Sequence, residues 1–232
     1  MNIIVTGASR GIGYELVKLL SQNPANRIIA VSRNKEKLER LTKESKSGNI
    51  HAIPFDLNDS ASRNSFISTV LQKIDSVDIL INNAGAIVNK PFEEITAQEL
   101  NYVYNVNVFG VFQLIQSLLP YMGKKNKAHI VNISSMGGFQ GSAKFAGLSA
   151  YSSSKAAVAG LSESLAEELK DKNIAVNCLC LGAVQTDMLE EAFPGYKAPV
   201  TAKQMAEFIA DFSLAGHHYF NGKVLPVSLS TP

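Results

Sequence analysis

What the chain lacks already excludes several kinds of protein. Its 232 residues contain no tryptophan and two cysteines, Cys178 and Cys180, which are too few for a disulfide framework. No apolar run approaches the roughly 20 residues of a membrane span. The N-terminus also lacks the basic, apolar and cleavage regions of a signal peptide in series. We therefore expect a soluble, cytoplasmic protein with no membrane partner.

Neither sign of charge predominates. The chain carries 22 Lys and Arg against 20 Asp and Glu, a formal net charge of +2. This balance excludes a strongly basic nucleic-acid arm and an acidic tail, so we expect no nucleic-acid partner. The four histidines and two cysteines show no metal-ligand spacing, and we expect no bound metal. Cys178 and Cys180 are expected to act as small hydrophobic residues on one face of a buried strand.

Short runs of Val, Ile and Leu alternate with stretches of helical periodicity along the chain. Continuous apolar runs are typical of strands that are covered on both faces. The predicted strands are residues 2–6, 27–32, 51–56, 77–82, 129–134, 174–181 and 223–227, and the predicted helices are residues 12–22, 35–44, 61–73, 97–122, 152–170 and 202–212. This order predicts one α/β domain over residues 1–232, a Rossmann-type doubly wound parallel sheet of about seven strands with helices on both faces.

The predicted helix 97–122 is apolar around most of its circumference. Thr96 and Glu99 form a capping box that starts it. One apolar face covers the sheet, and the rest needs a second partner. A subunit interface is the preferred hypothesis, giving a homodimer or homotetramer through helices 97–122 and 152–170. The alternative is that a loop or a neighbouring helix of the same chain covers this face.

A glycine-rich turn follows the first predicted strand directly. Gly7, Gly11 and Gly13 lie between that strand and an amphipathic helix, with Ser9, Arg10 and Ile12 interleaved. Helix N-termini bind anions through unpaired N–H groups, and glycine lets a pyrophosphate approach the backbone closely. In this position the turn predicts a dinucleotide site. Its Gly-x3-Gly-x-Gly spacing differs from the commonest fingerprint.

The end of the second predicted strand bears on the choice of cofactor. A carboxylate there would bind both ribose hydroxyls and select NAD, but the chain has Ser32 followed by Arg33. Arg33 and Arg10 suit a 2′-phosphate, so we predict NADP(H); the alternative is two solvated surface arginines. Asp56 and Leu57, after the third strand, are placed to meet the adenine, although Asp56 could equally cap a turn.

A possible proton donor follows the fifth predicted strand. Tyr151 and Lys155 stand four residues apart at the start of a helix and so face the same way. The ammonium of Lys155 is expected to favour the phenolate and lower the pKa of Tyr151. Ser134 and Ser135 end the fifth strand at the edge where such sheets bind ligands.

Taken together and in this order, these motifs resemble the short-chain dehydrogenase/reductase family over essentially the whole chain. The glycine turn, the Asn82–Gly85 turn, Asn107, the serine pair and Tyr151 with Lys155 carry the resemblance. It implies that Tyr151 is the proton donor, that Ser135 orients a substrate carbonyl and that Asn107 anchors a water in a proton relay. It also implies that Lys155 holds the nicotinamide ribose. The cofactor residues it implies are Gly7, Gly11, Gly13, Asn83, Ala84, Gly85, Gly182, Val184 and Thr186.

Four features depart from the family pattern. The interval from Ser135 to Tyr151 is a few residues longer than usual, through a stretch rich in Gly, Ala and Ser at residues 137–149. Leu181 replaces the usual proline, the predicted substrate lid around residues 187–200 is short, and the usual terminal Asp-Gly-Gly is missing. These departures put in doubt the role of Ser135 and a tetramer interface near the C-terminus.

The function that this resemblance implies is NADPH-dependent reduction of a ketone, aldehyde or 3-oxoacyl group to an alcohol. The substrate is a small molecule or is borne on a carrier, as for 3-oxoacyl-carrier-protein reductases and broad carbonyl reductases. The alternative is a non-catalytic NADP(H)-sensing regulator on the same fold, against which the intact Tyr151 and Lys155 argue. A sugar-nucleotide epimerase would need a larger C-terminal domain than the chain has.

Overall fold

A seven-stranded, fully parallel sheet forms the centre of the computed structural model, which describes residues 1–229. The strands are β1 (Asn2–Thr6), β2 (Arg27–Ser32), β3 (Ile50–Pro54), β4 (Ile79–Asn82), β5 (Ala128–Ser135), β6 (Ile174–Leu181) and, last in the chain, β9 (Val224–Val227). Their order across the sheet is β3-β2-β1-β4-β5-β6-β9. The chain reverses direction across the sheet between β1 and β4, and this switch point opens a crevice at the carboxyl ends of the strands.

All seven predicted strands are present, with shifts at some ends. The predicted strand 77–82 begins at Ile79, because Val77 instead makes an isolated bridge to Met122. The predicted strand 51–56 ends at Pro54, because Asp56 already belongs to a turn. Two short strands were not predicted, β7 (Val184–Gln185) and β8 (Val200–Thr201), which pair with each other outside the main sheet.

Helices cover both faces of the sheet, as the doubly wound fold requires. They are α1 (Gly11–Leu20), α2 (Lys35–Glu44), α3 (Arg63–Leu71), α4 (Ala97–Tyr104), α5 (Gly110–Leu118), α6 (Ser149–Glu168), α7 (Asp187–Ala192) and α8 (Ala202–Ala215). One apolar core joins α1, α2 and α8 to the sheet, and a second joins α3, α5 and the end of α6 to its other face. None of the helices within residues 1–229 is long and apolar enough to cross a membrane.

The single helix predicted over 97–122 is interrupted. A π-helical turn, Asn105–Phe109, separates α4 from α5, and a 3-10 turn at Leu119–Tyr121 ends the segment. At Gly110 the backbone approaches the Leu57 carbonyl so closely that a Cβ would lie 2.8 Å from that oxygen. The capping box of Thr96 and Glu99 is confirmed.

The outer face of this segment stays apolar and exposed. Val111, Leu114 and Leu118 are buried against the sheet, whereas Phe109 and Phe112 are 50% and 47% exposed. Both cysteines of β6 are fully buried beside Met136 and Ala159, which confirms their hydrophobic role. Residues 230–232 of the predicted domain lie outside the described residues.

Candidate active site

A cavity of about 950 Å³ lies in the crevice at the carboxyl edge of the sheet. Its volume is in the range of small-molecule and cofactor sites. The predicted site residues that line it are Gly7, Ser9, Arg10, Gly11, Ile12, Ser32, Arg33, Asp56, Leu57, Asn83, Ala84, Gly85, Ser135, Tyr151, Lys155, Gly182, Val184 and Thr186. Gly13 and Asn107, also predicted, lie behind this wall and act through packing and hydrogen bonds.

The glycine turn has the backbone shape that its sequence predicts. Gly7 and Gly11 have positive φ angles of 70° and 56°, a conformation that favours glycine. A Cβ on Gly13 would lie 2.3 Å from the Gly7 carbonyl oxygen. Gly13 is therefore required for close packing of helix α1 against the turn, whereas Gly7 and Gly11 face the cavity.

Thr6 and Asn83 fasten this turn to the end of β4. The Thr6 hydroxyl accepts hydrogen bonds from the backbone N–H groups of Asn83 and Ala84, at 3.1 and 3.0 Å. The Asn83 side chain donates to the Thr6 carbonyl at 3.0 Å. The Asn82 side chain donates to that of Asn132, its neighbour on β5, at 2.8 Å. The Asn82–Gly85 turn thus supports the central sheet and contributes one wall of the cavity.

One end of the cavity is lined by cations. Arg33 donates to the Tyr102 hydroxyl at 2.7 Å, and Lys37 lines the same end. Sequence reasoning missed Lys37 and Tyr102. Lys37 could have been found, since it stands four residues after Arg33 on the first turn of α2. Tyr102 reaches the site only through the packing of α4.

Arg10, which the sequence predicts as a second ligand of the 2′-phosphate, is paired with an acid in this structure. Its two terminal nitrogens are paired with the two carboxylate oxygens of Glu191, on helix α7. The Glu191 hydrogen bond raises the pKa of Arg10, and Arg10 in turn lowers the pKa of Glu191. Glu191 was not predicted, because 181 residues separate it from Arg10 in the chain.

Asp56 caps a turn, which is one of the two roles that the sequence left open. Its carboxylate accepts a hydrogen bond from the Asn58 N–H at 2.9 Å, which caps a turn. Asp56 and the buried Leu57 also line the cavity, next to the cationic end. The turn therefore holds Asp56 in the position where it was expected to meet a ligand.

The opposite end of the cavity holds Tyr151 and Lys155, on the first turns of α6. The Lys155 ammonium is buried, donates to the Ile133 carbonyl at 2.8 Å and lies 5.9 Å from the centre of the Tyr151 ring. Burial lowers the pKa of Lys155 to about 8. Burial also raises the pKa of Tyr151, against a smaller lowering by a hydrogen bond with Ser135. The expected lowering of the tyrosine pKa is therefore not seen in this structure, in which desolvation outweighs the hydrogen bond with Ser135.

The two serines at the end of β5 differ in their hydrogen-bond partners and in their exposure to the cavity. The Ser134 hydroxyl is buried and donates to the Lys155 carbonyl at 2.7 Å, which ties β5 to α6. The Ser135 hydroxyl accepts a longer bond from the Gly137 N–H, at 3.2 Å, also hydrogen-bonds with Tyr151, and is partly exposed in the cavity. Of the pair, Ser135 is the one placed to meet a ligand.

Asn107 lies in the π-helical turn and is 1% exposed. Its side chain accepts from the Ala86 N–H at 2.7 Å and donates to the Ala86 carbonyl and the Ser154 hydroxyl, both at 2.9 Å. These bonds join the loop after β4 to helix α6. A Cβ on Gly85 would lie 3.5 Å from both the Asn107 side-chain oxygen and the Lys155 ammonium. Asn107 therefore holds the backbone beside Lys155 in place.

Residues 181–200 form one wall of the cavity. The Thr186 hydroxyl accepts from the Leu189 N–H at 3.3 Å and so caps helix α7. Asn89, in the loop after β4, donates to the Ala192 carbonyl at 2.8 Å at the other end of this helix. Four residues of the segment add apolar lining that sequence reasoning did not list: Met188, Leu189, Phe193 and Tyr196.

The longer stretch between Ser135 and Tyr151 packs against the same loop. Gly147 has a φ of 83°, and a Cβ there would lie 2.1 Å from the Asn89 side-chain oxygen. The Lys90 N–H donates to the Gly147 carbonyl at 3.0 Å. Phe145, halfway along the stretch, lines the cavity. The additional residues of this stretch therefore form part of the cavity wall, on the side away from the glycine turn.

The residues present fit a dinucleotide. The glycine turn offers a cradle at a helix N-terminus in which side chains would be excluded at Gly7 and Gly13. Cations lie at one end of the cavity and a protonated phenol at the other. This is the order in which an adenosine phosphate end and a reacting end would lie across the switch point of a parallel sheet.

Comparison with known proteins gives a consistent result. A family model described as short chain dehydrogenase matches residues 1–197. The chain is 34% identical over 205 residues to a 3-oxoacyl-[acyl-carrier-protein] reductase of Thermotoga maritima, covering 88% of this chain and 79% of the relative. It is 30% identical over 239 residues to the protein of that name from Chlamydia trachomatis, covering 97% and 94%.

Solved structures agree in fold over nearly the whole length. A 3-ketoacyl-(acyl-carrier-protein) reductase from Brucella melitensis, complexed with NADH, has a TM-score of 0.87 at 25% identity, covering 98% of this chain and 96% of that one. A short chain dehydrogenase from Shigella flexneri, complexed with NADP, has a TM-score of 0.88 at 27% identity, covering 97% and 95%. Both cofactors thus occur among similar structures.

Proposed function

The chain belongs to the short-chain dehydrogenase family of oxidoreductases, and from that premise we propose that it reduces a carbonyl group to an alcohol with NADPH. The observation that carries the proposal is the pairing of Tyr151 with Ser135 on the cavity wall, at the end opposite Arg33 and Lys37. A proton donor at one end and phosphate-binding cations at the other are what this reaction requires.

Tyr151 has the chemical state of a general acid. An ordinary tyrosine, with a pKa of about 10, already holds its proton at neutral pH, and burial raises the pKa of Tyr151 further, so its hydroxyl has a proton to donate. NADPH, when bound, supplies the hydride that adds to the carbonyl carbon. Ser135 and Tyr151 would donate hydrogen bonds to the substrate oxygen, where negative charge develops, and Tyr151 would then give up its proton to that oxygen.

Lys155 and Asn107 would assist this proton transfer without contacting the substrate. The buried ammonium of Lys155 lies close enough to the Tyr151 ring to stabilise negative charge when the phenol loses its proton. Asn107 fixes the loop after β4 against α6 through Ala86 and Ser154. We therefore propose Asn107 as a positioning residue in this protein. The water-anchoring role that the family resemblance implies remains part of the proposal.

The cofactor would lie across the carboxyl edge of the sheet. Arg33, Lys37 and Arg10 are the candidates for the 2′-phosphate, with Ser32 beside them and Asp56 and Leu57 at the adenine. Gly182, Val184 and Thr186 would meet the nicotinamide. The remaining proposed contacts are Gly7, Ser9, Gly11, Ile12, Asn83, Ala84 and Gly85, with Gly13 shaping the turn.

The substrate side is bounded by residues 187–200, which we propose as the lid. Phe145, Phe193 and Tyr196 make this side aromatic and apolar. That lining favours a substrate with an apolar body beside its carbonyl, such as a 3-oxoacyl thioester or an aryl ketone. A carrier-borne substrate is consistent with relatives whose names specify acyl carrier protein.

Assembly and location belong to the same proposal. Phe109 and Phe112 leave an apolar face on the segment 97–122, and a second copy of the chain would bury it. A homodimer or homotetramer through this segment and α6 is the expected form. Two free, buried cysteines suit a reducing cytoplasm.

The proposal is tested by an NADPH-oxidation assay on the purified protein. The panel consists of acetoacetyl-CoA as a 3-oxoacyl thioester, an aryl ketone and an aliphatic aldehyde. Turnover of one of these with wild-type protein and its loss in Tyr151→Phe supports a reductase. Tight NADPH binding without turnover on the panel favours the regulatory alternative, and absence of NADPH binding contradicts both.

A further inference from the structure

Glu191 forms an ion pair with Arg10, one of the cations proposed to bind the cofactor's 2′-phosphate. Its carboxylate meets both terminal nitrogens of Arg10 in a two-pronged pair, with one of the two contacts at 3.2 Å. Arginine binds phosphate through the same pair of donors. One guanidinium fork cannot serve both groups in this way at once. Glu191 and a 2′-phosphate are therefore competitors for Arg10.

The surroundings show that the carboxylate sits among the cationic side chains of the cleft. Lys37 as well as Arg10 lowers the pKa of Glu191 electrostatically, and Lys37 lines the same end of the cavity. Asp187, also on α7, lies 3.8 Å from Arg10. By contrast, Arg33 gives its hydrogen bond to the neutral Tyr102 hydroxyl. A phosphate can therefore reach Arg33 and Lys37 without displacing an acid, but not Arg10.

The position of Glu191 in the lid gives this competition a consequence. The base of the lid is held by the pairing of β7 with β8 and by the Ala198 N–H, which donates to Gln185 at 2.9 Å. Helix α7 is held over the cleft by Asn89 on one side and by Arg10 on the other. The Arg10–Glu191 bridge is thus a direct tie between the lid and the glycine turn, and Asp187 adds a longer ion pair to the same arginine.

The bridge is weak enough to be exchanged. The side chains of Arg10 and Glu191 are 40% and 60% exposed, and exposed ion pairs change an equilibrium by at most about fivefold. A 2′-phosphate carries about −1.5 to −2 charges where Glu191 carries one. It would therefore draw the Arg10 guanidinium away from the carboxylate.

We propose that Glu191 is a specificity-determining residue that ties the lid to the 2′-phosphate subsite in the free protein, and that an adenosine 2′-phosphate releases this tie by taking over Arg10. This inference rests on the proposed function. It adds that NADPH and NADH differ in their effect on the lid as well as in affinity, because NADH has no group that competes with Glu191.

The test uses adenosine 2′,5′-bisphosphate and AMP, which differ only in the 2′-phosphate and lack the nicotinamide that would itself contact the lid. Calorimetric titrations compare wild type, Glu191→Gln and the control Glu207→Gln, which removes an exposed carboxylate of α8. Glu191→Gln should bind the bisphosphate up to about fivefold more tightly, with AMP binding unchanged. Glu207→Gln should match wild type with both ligands.

Hydrogen–deuterium exchange over residues 187–193 supplies the second readout. The bisphosphate should accelerate exchange there in wild type, AMP should not, and free Glu191→Gln should already exchange quickly. Two results would overturn the tie while leaving the reductase proposal intact. One is that wild type and Glu191→Gln bind the bisphosphate with equal affinity. The other is that the bisphosphate binds wild type without accelerating exchange over residues 187–193. Failure of all forms to bind the bisphosphate overturns the tie together with the NADP(H) assignment.

Discussion

The two ends of the cleft differ in how far their polar side chains are buried and in what those side chains bind. At the cationic end, Arg10, Arg33 and Lys37 are exposed and their partners are surface side chains. At the reacting end, Asn107 and Lys155 are nearly fully buried, and their partners are backbone carbonyls, a backbone N–H and a buried hydroxyl. Exposed pairs contribute little energy and can be exchanged, whereas buried polar groups are costly to leave unpaired.

This difference separates the tasks of the two ends. Contacts at the exposed end can be exchanged for contacts with a cofactor phosphate at little cost to the stability of the fold. The buried end holds a protonated phenol and an ammonium in a fixed relation, and it does so with hydrogen bonds that also join β4, β5 and α6. Substitutions should therefore change binding at one end, and turnover and stability at the other.

Tyr151→Phe should produce the largest effect. It removes the proposed proton donor while keeping the ring, so the kcat/KM for NADPH-dependent carbonyl reduction should fall by about 10²- to 10⁴-fold. NADPH affinity should change little, because the cationic end is untouched. Tyr219→Phe, at an exposed tyrosine, is the control. Equal losses of turnover and NADPH affinity would break the separation between the two ends.

Asn107→Leu should produce the next largest effect, on stability. The change leaves the N–H and C=O of Ala86 without their partners in a buried loop, which should cost about 2 to 4 kcal/mol in the free energy of unfolding. Urea denaturation measures this directly. Asn101→Leu, at an exposed position of α4, should stay within about 0.5 kcal/mol of wild type. Similar values for the two variants would contradict the structural role of Asn107.

A pH series sharpens the contrast through Lys155. Burial lowers the pKa of Lys155 in the native state to about 8, from 10.5. Below pH 8 both states hold the proton and the native state bears the full burial cost. Between pH 8 and 10.5 the native lysine loses its proton before the unfolded one does, so this cost disappears as pH rises.

Relative to Lys155→Met, wild type should therefore gain up to about 3 kcal/mol in unfolding free energy between pH 8 and 10.5. Chemical denaturation at fixed pH values measures the gain. Lys43→Met, at an exposed position of α2, is the matched control. A constant difference between wild type and Lys155→Met across this window would show that the native lysine keeps its proton.

Arg33→Ala should have the smallest of these effects and should confine it to binding. NADPH affinity should fall by about tenfold, because a charge-assisted contact to the 2′-phosphate is lost, and NADH affinity should stay the same. Arg40→Ala, which removes an exposed arginine of α2 paired with Glu44, is the control. An equal loss for both cofactors would place Arg33 outside the phosphate subsite.

The sequence predicted the fold well because the signals for it are local. Continuous Val and Ile runs marked the strands, and the glycine turn, Ser135, Tyr151 and Lys155 all fall at strand ends or helix starts, where ligands meet such sheets. The π-helical turn was missed, because it depends on the close approach of Gly110 to Leu57. The direction of the Tyr151 pKa shift was missed because burial is not visible in a four-residue spacing.

Glu191 shows the same limit at the cationic end. Sheets that bind NAD have a carboxylate after the second strand, and this chain has Ser32 there. The structure instead brings an acid to this end from helix α7, through a contact that only the folded lid creates. Residues that line a site from opposite parts of the chain have no local signature.

The ratio of the dissociation constants for NADH and NADPH tests the separation of the two ends most directly. Purified wild-type protein would be titrated with each cofactor in parallel, with binding followed by calorimetry. Because Arg33, Lys37 and Arg10 are the proposed ligands of the 2′-phosphate, NADPH should bind at least about tenfold more tightly. Equal affinities, or a preference for NADH, would contradict the account of the cationic end.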